Sequence, residues 1–184
     1  MSETSGAYGQ AKYQVRLDWG VAGAERILPG AHVVVVVDVL PSPDGATIAE
    51  ALAGRGVVVL EGSLRNRSAV ARRILALQEQ RGERLMVAIV AAGQRDADAA
   101  GDVRFTVEDQ LGAGAVVDAL IALGIDHTSP EAAAACAAYE GLSHAAVHLI
   151  GASGSGAELV ALGRRAEVRA ATEVDASDEV PTVG

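Results

Sequence analysis

Residues 32–40 read HVVVVVDVL, an unbroken apolar run in which the single carboxylate is that of Asp38. Five consecutive valines without polar alternation predict a strand that is buried on both faces, as at the centre of a parallel sheet covered by helices. Asp38 then stands at the carboxyl end of the strand, where open α/β folds bind their ligands. An aspartate shortly before a proline is also a common turn former, so this position has a structural interpretation beside the functional one.

The segments around this run alternate between strand-like and helix-like patterns. Further strands are expected at YQVRLDW (13–19), GVVVL (56–60) and RLMVAIVAA (84–92), and HAAVHLI (144–150) or EVRAATEVD (167–175) would add one or two more. Helices are expected over residues 46–55, 68–81, 106–123, 129–141 and 155–165, with Gly82, Gly124 and Gly141 placed to end three of them. This alternation predicts an α/β fold, specifically a three-layer α/β/α sandwich with a largely parallel or mixed central sheet.

Length and charge narrow the class of protein. A chain of 184 residues suits one core, which we place in a single domain over residues 13–181 after a disordered segment at residues 1–12. The formal net charge of −9 disfavours nucleic acid and anionic membranes as partners. The sequence shows neither a signal peptide nor an apolar stretch long enough to span a bilayer, and the single cysteine, Cys136, suits a reducing compartment, so we expect a cytoplasmic protein.

Two loops between a strand and a helix carry groups suited to binding an anion. PSPDGAT (41–47) contains Asp44 and Gly45 in a turn that leads into a helix with free amide groups. EGSLRNRSAVARR (61–73) places Ser63, Arg65 and Asn66 before a helix, and the Arg65 guanidinium is a forked donor for phosphate, sulfonate or carboxylate. An ordinary tight turn and a solvated basic helix start explain the same residues without a ligand.

Acidic residues follow the fourth strand after a long polar loop. Glu108 and Asp109 open a helix that Thr106 can cap, and carboxylates in a first turn also complement the helix dipole. Adjacent helical residues point in different directions, so we expect at most one of the pair to join Asp38 on a magnesium ion, which prefers oxygen ligands. GASGSGAE (151–158) is suited either to an anion or, preferably, to a flexible connection.

The order of these segments resembles the 2-phosphosulfolactate phosphatases. The matching stretches are VVVVVDVL (33–40), PSPDGATI (41–48), GSLRNRSAVA (62–71), VAAGQR (90–95), FTVEDQLGAGAVV (105–117) and a carboxyl-terminal block over residues 153–181. The resemblance implies an α/β fold and magnesium-dependent hydrolysis of the phosphate ester of a small sulfonated hydroxy acid, a step in coenzyme M synthesis in some archaea.

The resemblance also implies roles for individual residues. Asp38, Glu108 and Asp109 match catalytic acids, and Asp38 and Asp109 would hold Mg²⁺. The substrate-binding positions would be Asp44, Gly45, Ser63, Arg65 and Asn66. The mechanism stays open between an aspartyl-phosphate intermediate and attack by water. The alternative function is that of a catalytically weak or inactive relative that binds a small anion.

The chain departs from the family pattern where two of its motifs abut. Pro41 follows Leu40 directly, whereas the family has a strand–helix unit between the corresponding segments, and Gly112 replaces a cysteine. Because two parallel strands need a crossover of a dozen or more residues, we expect an irregular turn or a missing strand here. A missing strand would leave an open sheet edge, which makes a homodimer possible.

Overall fold

The computed structural model describes residue 6 and residues 8–40, 42–95 and 103–183. Its main sheet has five strands in the order β1-β4-β2-β3-β7. Four of them are mutually parallel: β1 (Val15–Trp19), β2 (Val33–Val37), β3 (Val58–Gly62) and β4 (Val87–Ala91). The fifth, β7 (Thr182–Val183), pairs antiparallel with β3, and β5 (Gln94–Arg95) and β6 (Val103–Arg104) form a separate short ribbon.

Helices connect and cover these strands. They are α1 (Gly20–Ile27), α2 (Pro43–Leu52), α3 (Arg67–Arg81), α4 (Val107–Ala122), α5 (Pro130–Leu142), α6 (Ala146–Gly151), α7 (Gly154–Ala161) and α8 (Arg165–Ala171), with single 3₁₀ turns at Leu64–Asn66 and Ser143–Ala145. None of the helices in the described ranges combines the length and the apolar character that a membrane crossing demands.

The five valines of β2 divide the core into two layers. Val33, Val35 and Val37 face one cluster, which α3, α4 and α5 cover, while Val34 and Val36 face the other, which α1 and α2 cover. Successive side chains of a strand point to opposite faces, so a strand that is apolar on both faces needs helices on both. This arrangement confirms the predicted three-layer α/β/α sandwich.

The connections place a crevice between β2 and β4. After β2 the chain enters α2 on one face of the sheet, whereas after the neighbouring β4 it continues, beyond the β5–β6 ribbon, into α4 on the other face. Adjacent strands whose connections leave in opposite directions form a topological switch point, which is where open α/β sheets bind ligands. Asp38 follows β2 at this point, and Gly93 follows β4.

The structure corrects several sequence expectations. Residues 144–150 and 167–175 are not strands: the first lies in a 3₁₀ turn and α6, and the second in α8 and a following turn. Helix α5 continues through Gly141 to Leu142, and α1 was not predicted. Residues 1–5 and 7 lie outside the described part of the chain, residue 8 is helical and residues 9–12 form a turn. The boundary at residue 13 between a disordered segment and the domain stays a prediction.

The junction after β2 leads into helix α2. Ser42 is the N-cap of α2, its hydroxyl accepts a hydrogen bond from the Asp44 amide, and Pro43 occupies the first helical turn, where the missing N–H costs nothing. Helix α2 crosses over from β2 to the parallel strand β3. Pro41 lies outside the described residues, and the expected irregular turn or missing strand relative to the family stays a prediction.

Both edges of the main sheet are partly occupied. At β1, the Gln10 side-chain amide bonds the N–H and C=O of Leu17, and Thr128 forms a bridge with Val15. At the opposite edge, β7 pairs with Val59 and Leu60 of β3. These contacts block the edge pairing on which the expected homodimer rested, and the homodimer stays a prediction without that support.

Candidate active site

Carboxylates from three elements line one cavity at the carboxyl edge of the sheet. The cavity measures about 220 Å³ and lies at the switch point between β2 and β4. Its acidic residues are Asp38, Glu108, Asp109 and Glu158, and its other lining residues are Leu40, Ser42, Gly93, Gln94, Thr106, Ser155, Leu159 and Leu162. The described lining contains no lysine, arginine or histidine. The cavity is therefore suited to a cation.

Asp109 is fixed by donors from three positions in the chain. Its Oδ1 accepts a hydrogen bond from the Val39 amide at 2.9 Å, and its Oδ2 accepts from the Gly93 amide at 2.9 Å and the Thr106 hydroxyl at 2.7 Å. Thr106 is the N-cap residue of α4, but its hydroxyl donates to Asp109 and does not cap the helix. Asp109 thus joins the ends of β2 and β4 to the start of α4.

Asp38 is held by the turn that follows it. Its Oδ2 accepts hydrogen bonds from the Ser42 amide at 2.8 Å and the Ser42 hydroxyl at 3.1 Å. Gly45 lies so close that a Cβ there would stand 2.4 Å from the same oxygen. The Gly45 amide also hydrogen-bonds the Asp38 carboxylate, so this side chain is held by donors from the turn and from the start of α2.

Burial makes both aspartates weak acids for their type. Desolvation raises the pKa of Asp38 to about 6, against the opposing effect of its hydrogen bonds from Ser42. Desolvation, and then the charge of Asp38, raise the pKa of Asp109 to about 7. Ionising both carboxylates in this buried site is unfavourable, and a bound cation would offset that cost by favouring their ionised form.

Glu108 contributes a second buried carboxylate from the same helical turn. Its side chain is 2% exposed, and its Oε2 atom has no hydrogen-bond partner within the described residues. Buried oxygens are normally bonded, so an orphaned one indicates a missing ligand or proton. Glu108 and Asp109 both line the cavity, and the expectation that at most one of them joins Asp38 on a metal ion stays a prediction.

Helix α7 adds two residues that sequence analysis did not single out. Ser153 caps this helix by accepting a hydrogen bond from the Gly156 amide, and Ser155 and Glu158 reach the cavity from its first two turns. The GASGSGAE segment was interpreted as a flexible connection. The signal that could have found Glu158 is its place in the carboxyl-terminal block that matches the family resemblance.

Ser63, Arg65 and Asn66 do not line the described part of this cavity. Asn66 Nδ2 donates to the backbone oxygens of Glu61 and Glu179, and its Oδ1 accepts from the Ser63 amide and hydroxyl. Arg65 Nη1 donates to the Ala170 oxygen at 2.6 Å and to Glu173. These contacts attach the carboxyl-terminal segment to the body of the protein, so the geometry gives these three residues a structural role.

Asp44 and Gly45, which were both predicted to bind substrate, face different parts of the molecule. Gly45 faces Asp38, as described above, whereas Asp44 faces a neighbouring cavity and binds Arg95. The sequence analysis did not assign Arg95 a role, although it closes the VAAGQR stretch.

The residues present suit a hard cation, with one adjustment. Asp38, Glu108 and Asp109 are buried or half-buried carboxylates, and they form an oxygen donor set of the kind that Mg²⁺ binds. One of these oxygens, Glu108 Oε2, has no hydrogen-bond partner among the described residues. The ligand atoms of the three residues do not all lie within 4.8 Å of one another, so a shared ion would have to draw at least one side chain closer.

A second group of potential ligands meets that distance but is a poorer candidate. Asp118, Cys136 and Glu140 have ligand atoms within 4.8 Å of one another. However, Arg67 already pairs with Asp118 at 2.5 Å, and burial raises the pKa of the Cys136 thiol to about 11, which disfavours the thiolate that a metal needs. Cys136 is buried.

Comparison with known families gives one match across most of the chain. Residues 39–184 match the model of the family described as 2-phosphosulpholactate phosphatase. No curated protein shows significant similarity to the chain. The matched region contains Glu108, Asp109 and Glu158 and begins immediately after Asp38.

Proposed function

Because the chain belongs to the 2-phosphosulpholactate phosphatase family, we propose that it hydrolyses the phosphate ester of a small acid such as 2-phosphosulfolactate, with Mg²⁺ as its cofactor. The observation that carries this proposal is the cavity in which Asp38, Glu108 and Asp109 meet at the switch point of the sheet. The fold alone would not support it, because α/β sandwiches serve many unrelated functions.

The charge of the cavity requires a cation before an anion can bind. A phosphate ester carries negative charge, and the described lining offers it four carboxylates and no basic side chain. The positive charge that would attract the phosphate must therefore come from a bound cation. Carboxylate oxygens favour Mg²⁺ over softer metals. Asp38 and Asp109 would hold the ion through their carboxylate oxygens, which both line the cavity.

The bound ion would supply electrostatic stabilisation of the charge that develops on the transferring phosphoryl group. The protein's own residues fix the geometry for this step. The Val39 and Gly93 amides and the Thr106 hydroxyl orient Asp109, and Ser42 orients Asp38. Because these donors belong to strand ends and helix starts, the carboxylates need little reorganisation when substrate binds.

Glu108 is the residue placed to move a proton. One of its oxygens is buried and has no hydrogen-bond partner among the described residues, so it would accept a proton from an attacking water or return one to the leaving alkoxide. Leu40, Leu159 and Leu162 form the apolar part of the lining.

The proposal is tested by an activity screen of phosphorylated small acids with and without Mg²⁺, on the wild type and on Asp38→Asn. The substitution should lower kcat/KM by at least 100-fold, as expected when a group that holds transition-state charge is lost. Folding should be retained, because an asparagine can still accept the Ser42 hydrogen bonds through its side-chain oxygen and removes a carboxylate whose burial is costly. Asp126→Asn, an exposed substitution, is the matched control and should be neutral.

Two outcomes would contradict the proposal. Turnover that is unchanged by Mg²⁺ removal or by Asp38→Asn would exclude this site as the catalytic centre. Thermal stabilisation by a phosphorylated acid, without turnover and without a response to Mg²⁺, would favour the alternative of a non-catalytic anion-binding relative.

A further inference from the structure

A second cavity adjoins the acidic one at the same edge of the sheet. It measures about 280 Å³, and its wall includes Gly20, Val21, Asp44, Ile48, Ala92 and Arg95. The segment after β4 separates the two cavities and lines both of them. Ala92 and Arg95 face this one while Gly93 and Gln94 face the other, and Asp44 follows the turn that holds Asp38.

Arg95 is oriented by Asp44 within this second cavity. The Arg95 Nε donates to Asp44 Oδ1 at 3.0 Å, and its backbone N–H donates to Asp44 Oδ2 at 2.9 Å. The Asp44 side chain is 17% exposed and the Arg95 side chain 53% exposed. In the described ranges, no acceptor bonds the two terminal nitrogens, Nη1 and Nη2. The contact at Nε therefore aims the guanidinium while its end remains available for a carboxylate or a sulfonate.

A substrate with two anionic groups needs such a partner. The acidic cavity can hold the phosphate through a cation, but its described lining has no basic side chain to neutralise a second negative group. Arg65, the arginine that the sequence suggested for binding an anion, already donates hydrogen bonds to Ala170 and Glu173. Arg95 is the arginine that lines the neighbouring cavity.

We propose that this second cavity binds the carboxylate or sulfonate group of the phosphorylated substrate through Arg95, so that the chain is selective for phosphate esters with an additional acidic group. This inference rests on the proposed function, because it assigns the remainder of the same substrate. The apolar side chains of Val21 and Ile48 line the same cavity and would contact the carbon chain of the substrate.

The test compares substrates that differ in one charge. Hydrolysis of 2-phospholactate, of its methyl ester and of 2-phosphosulfolactate is measured for the wild type, Arg95→Ala and Arg95→Lys. For Arg95→Ala, KM should rise about 10- to 100-fold with the two acidic substrates and change little with the methyl ester, since charge-assisted hydrogen bonds are lost only with the former. Arg95→Lys, which keeps the charge and loses the fork, should be intermediate.

Arg81→Ala is the matched control. Arg81 has the same side-chain exposure of 53% and pairs through Nε with one carboxylate, Glu83, but it ends α3 near the opposite edge of the sheet. Its substitution should leave all three KM values unchanged. Equal losses in Arg95→Ala with the methyl ester would assign Arg95 to the phosphate and overturn the proposal, and so would unchanged KM values for every substrate.

Failure of this inference is distinguishable from failure of the proposed function. If the wild type hydrolyses the methyl ester in a Mg²⁺-dependent way but shows no selectivity, only the inference fails. If it hydrolyses none of the three, the binding of sulfolactate, which has no phosphate, is measured by NMR titration. Binding by the wild type and loss of binding in Arg95→Ala would support the site, and no binding by the wild type would overturn it.

Discussion

Asp109 accepts hydrogen bonds from the Val39 and Gly93 amides, which follow two adjacent strands, and from the Thr106 hydroxyl at the start of α4. Both of its oxygens face N–H donors. An asparagine has one oxygen and one NH₂ group, so it would set a donor against a donor on one side. Substitution of Asp109 would therefore mix loss of function with loss of structure, and Asp38 is the cleaner probe of the site.

Gly45 offers a test of how closely the Asp38 carboxylate is held. A Cβ at this position would stand 2.4 Å from Asp38 Oδ2 and 2.8 Å from its Cβ, so Gly45→Ala must displace the carboxylate or the start of α2. We expect activity to fall by about tenfold or more, and the free energy of unfolding to fall by about 1–3 kcal/mol, as in other overpacked sites. Steady-state kinetics and urea denaturation would measure the two effects.

Gly141→Ala is the control for that substitution. Gly141 is also helical, but no atom lies within 4 Å of the position where its Cβ would be. Alanine should stabilise α5 there by about 0.5–1 kcal/mol and leave activity unchanged. Similar activities for the two variants would show that Gly45 is not in contact with the catalytic carboxylate.

At the scale of the element, the carboxyl-terminal segment is attached by a short loop that the sequence suggested for substrate binding. The Asp175 amide donates to the Leu64 oxygen, the Ser177 amide to the Arg65 oxygen and the Glu61 amide to the Pro181 oxygen. The Asn66 and Arg65 side chains add bonds to Glu179 and Ala170. This segment follows α7 and α8, so its attachment also stabilises the helices that bring Glu158 to the cavity.

Arg65→Ala should consequently affect this segment and not substrate affinity. The substitution removes the donor to the Ala170 oxygen and the ion pair with Glu173, which we expect to cost about 1–2 kcal/mol of stability and to open the segment to proteolysis after α8. KM should not change. Limited proteolysis followed by mass spectrometry, together with kinetics, would test both statements.

Arg164→Ala serves as the comparison, because Arg164 pairs only with the exposed Glu167 of α8 among the residues described. Exposed ion pairs contribute little, so this variant should resemble the wild type in cleavage rate. A rise in KM in Arg65→Ala with an unaltered cleavage pattern would return Arg65 to the substrate site that the family resemblance implies.

At the scale of the whole molecule, the buried aspartates make stability depend on pH. The pKa values of Asp38 and Asp109 rise to about 6 and about 7 on folding, largely through desolvation, so between about pH 4 and pH 7 the folded state binds more protons than the unfolded state. The contribution of these two groups to the free energy of unfolding therefore falls as pH rises through this window, and it is constant above the window. Each pKa unit corresponds to about 1.4 kcal/mol.

Urea denaturation between pH 5 and pH 8 in the presence of a chelator would measure this slope. Asp38→Asn should reduce it, and Mg²⁺ should offset the loss of stability at pH 8 because a cation favours the ionised carboxylates. The acids whose pKa is lowered on folding, Glu83, Glu167 and Asp175, act in the opposite sense near the acid end of this range, so the slope due to Asp38 and Asp109 is best measured above about pH 5.5. A slope that neither Asp38→Asn nor Mg²⁺ alters would mean that the two aspartates are not desolvated together.

The sequence by itself determined the layers of this protein and the edge of the sheet at which its acids lie. Five successive valines need apolar cover on both faces, and the alternation of strands and helices supplies it. The position of Asp38 follows because it is adjacent to its strand along the chain. Such local periodicity and adjacency are properties that a sequence displays directly.

Only the tertiary structure decided which polar residues share a cavity. Glu158 lines the same cavity as Asp38 although the two residues are 120 positions apart in the chain. Arg95 binds Asp44 and does not line the acidic cavity. The loop with Ser63, Arg65 and Asn66 begins at the same sheet edge, but it binds the carboxyl-terminal segment. These pairings depend on the strand order, on which face each helix covers and on the path of the last residues. Those choices are made by packing between segments distant in sequence, and no local pattern encodes them.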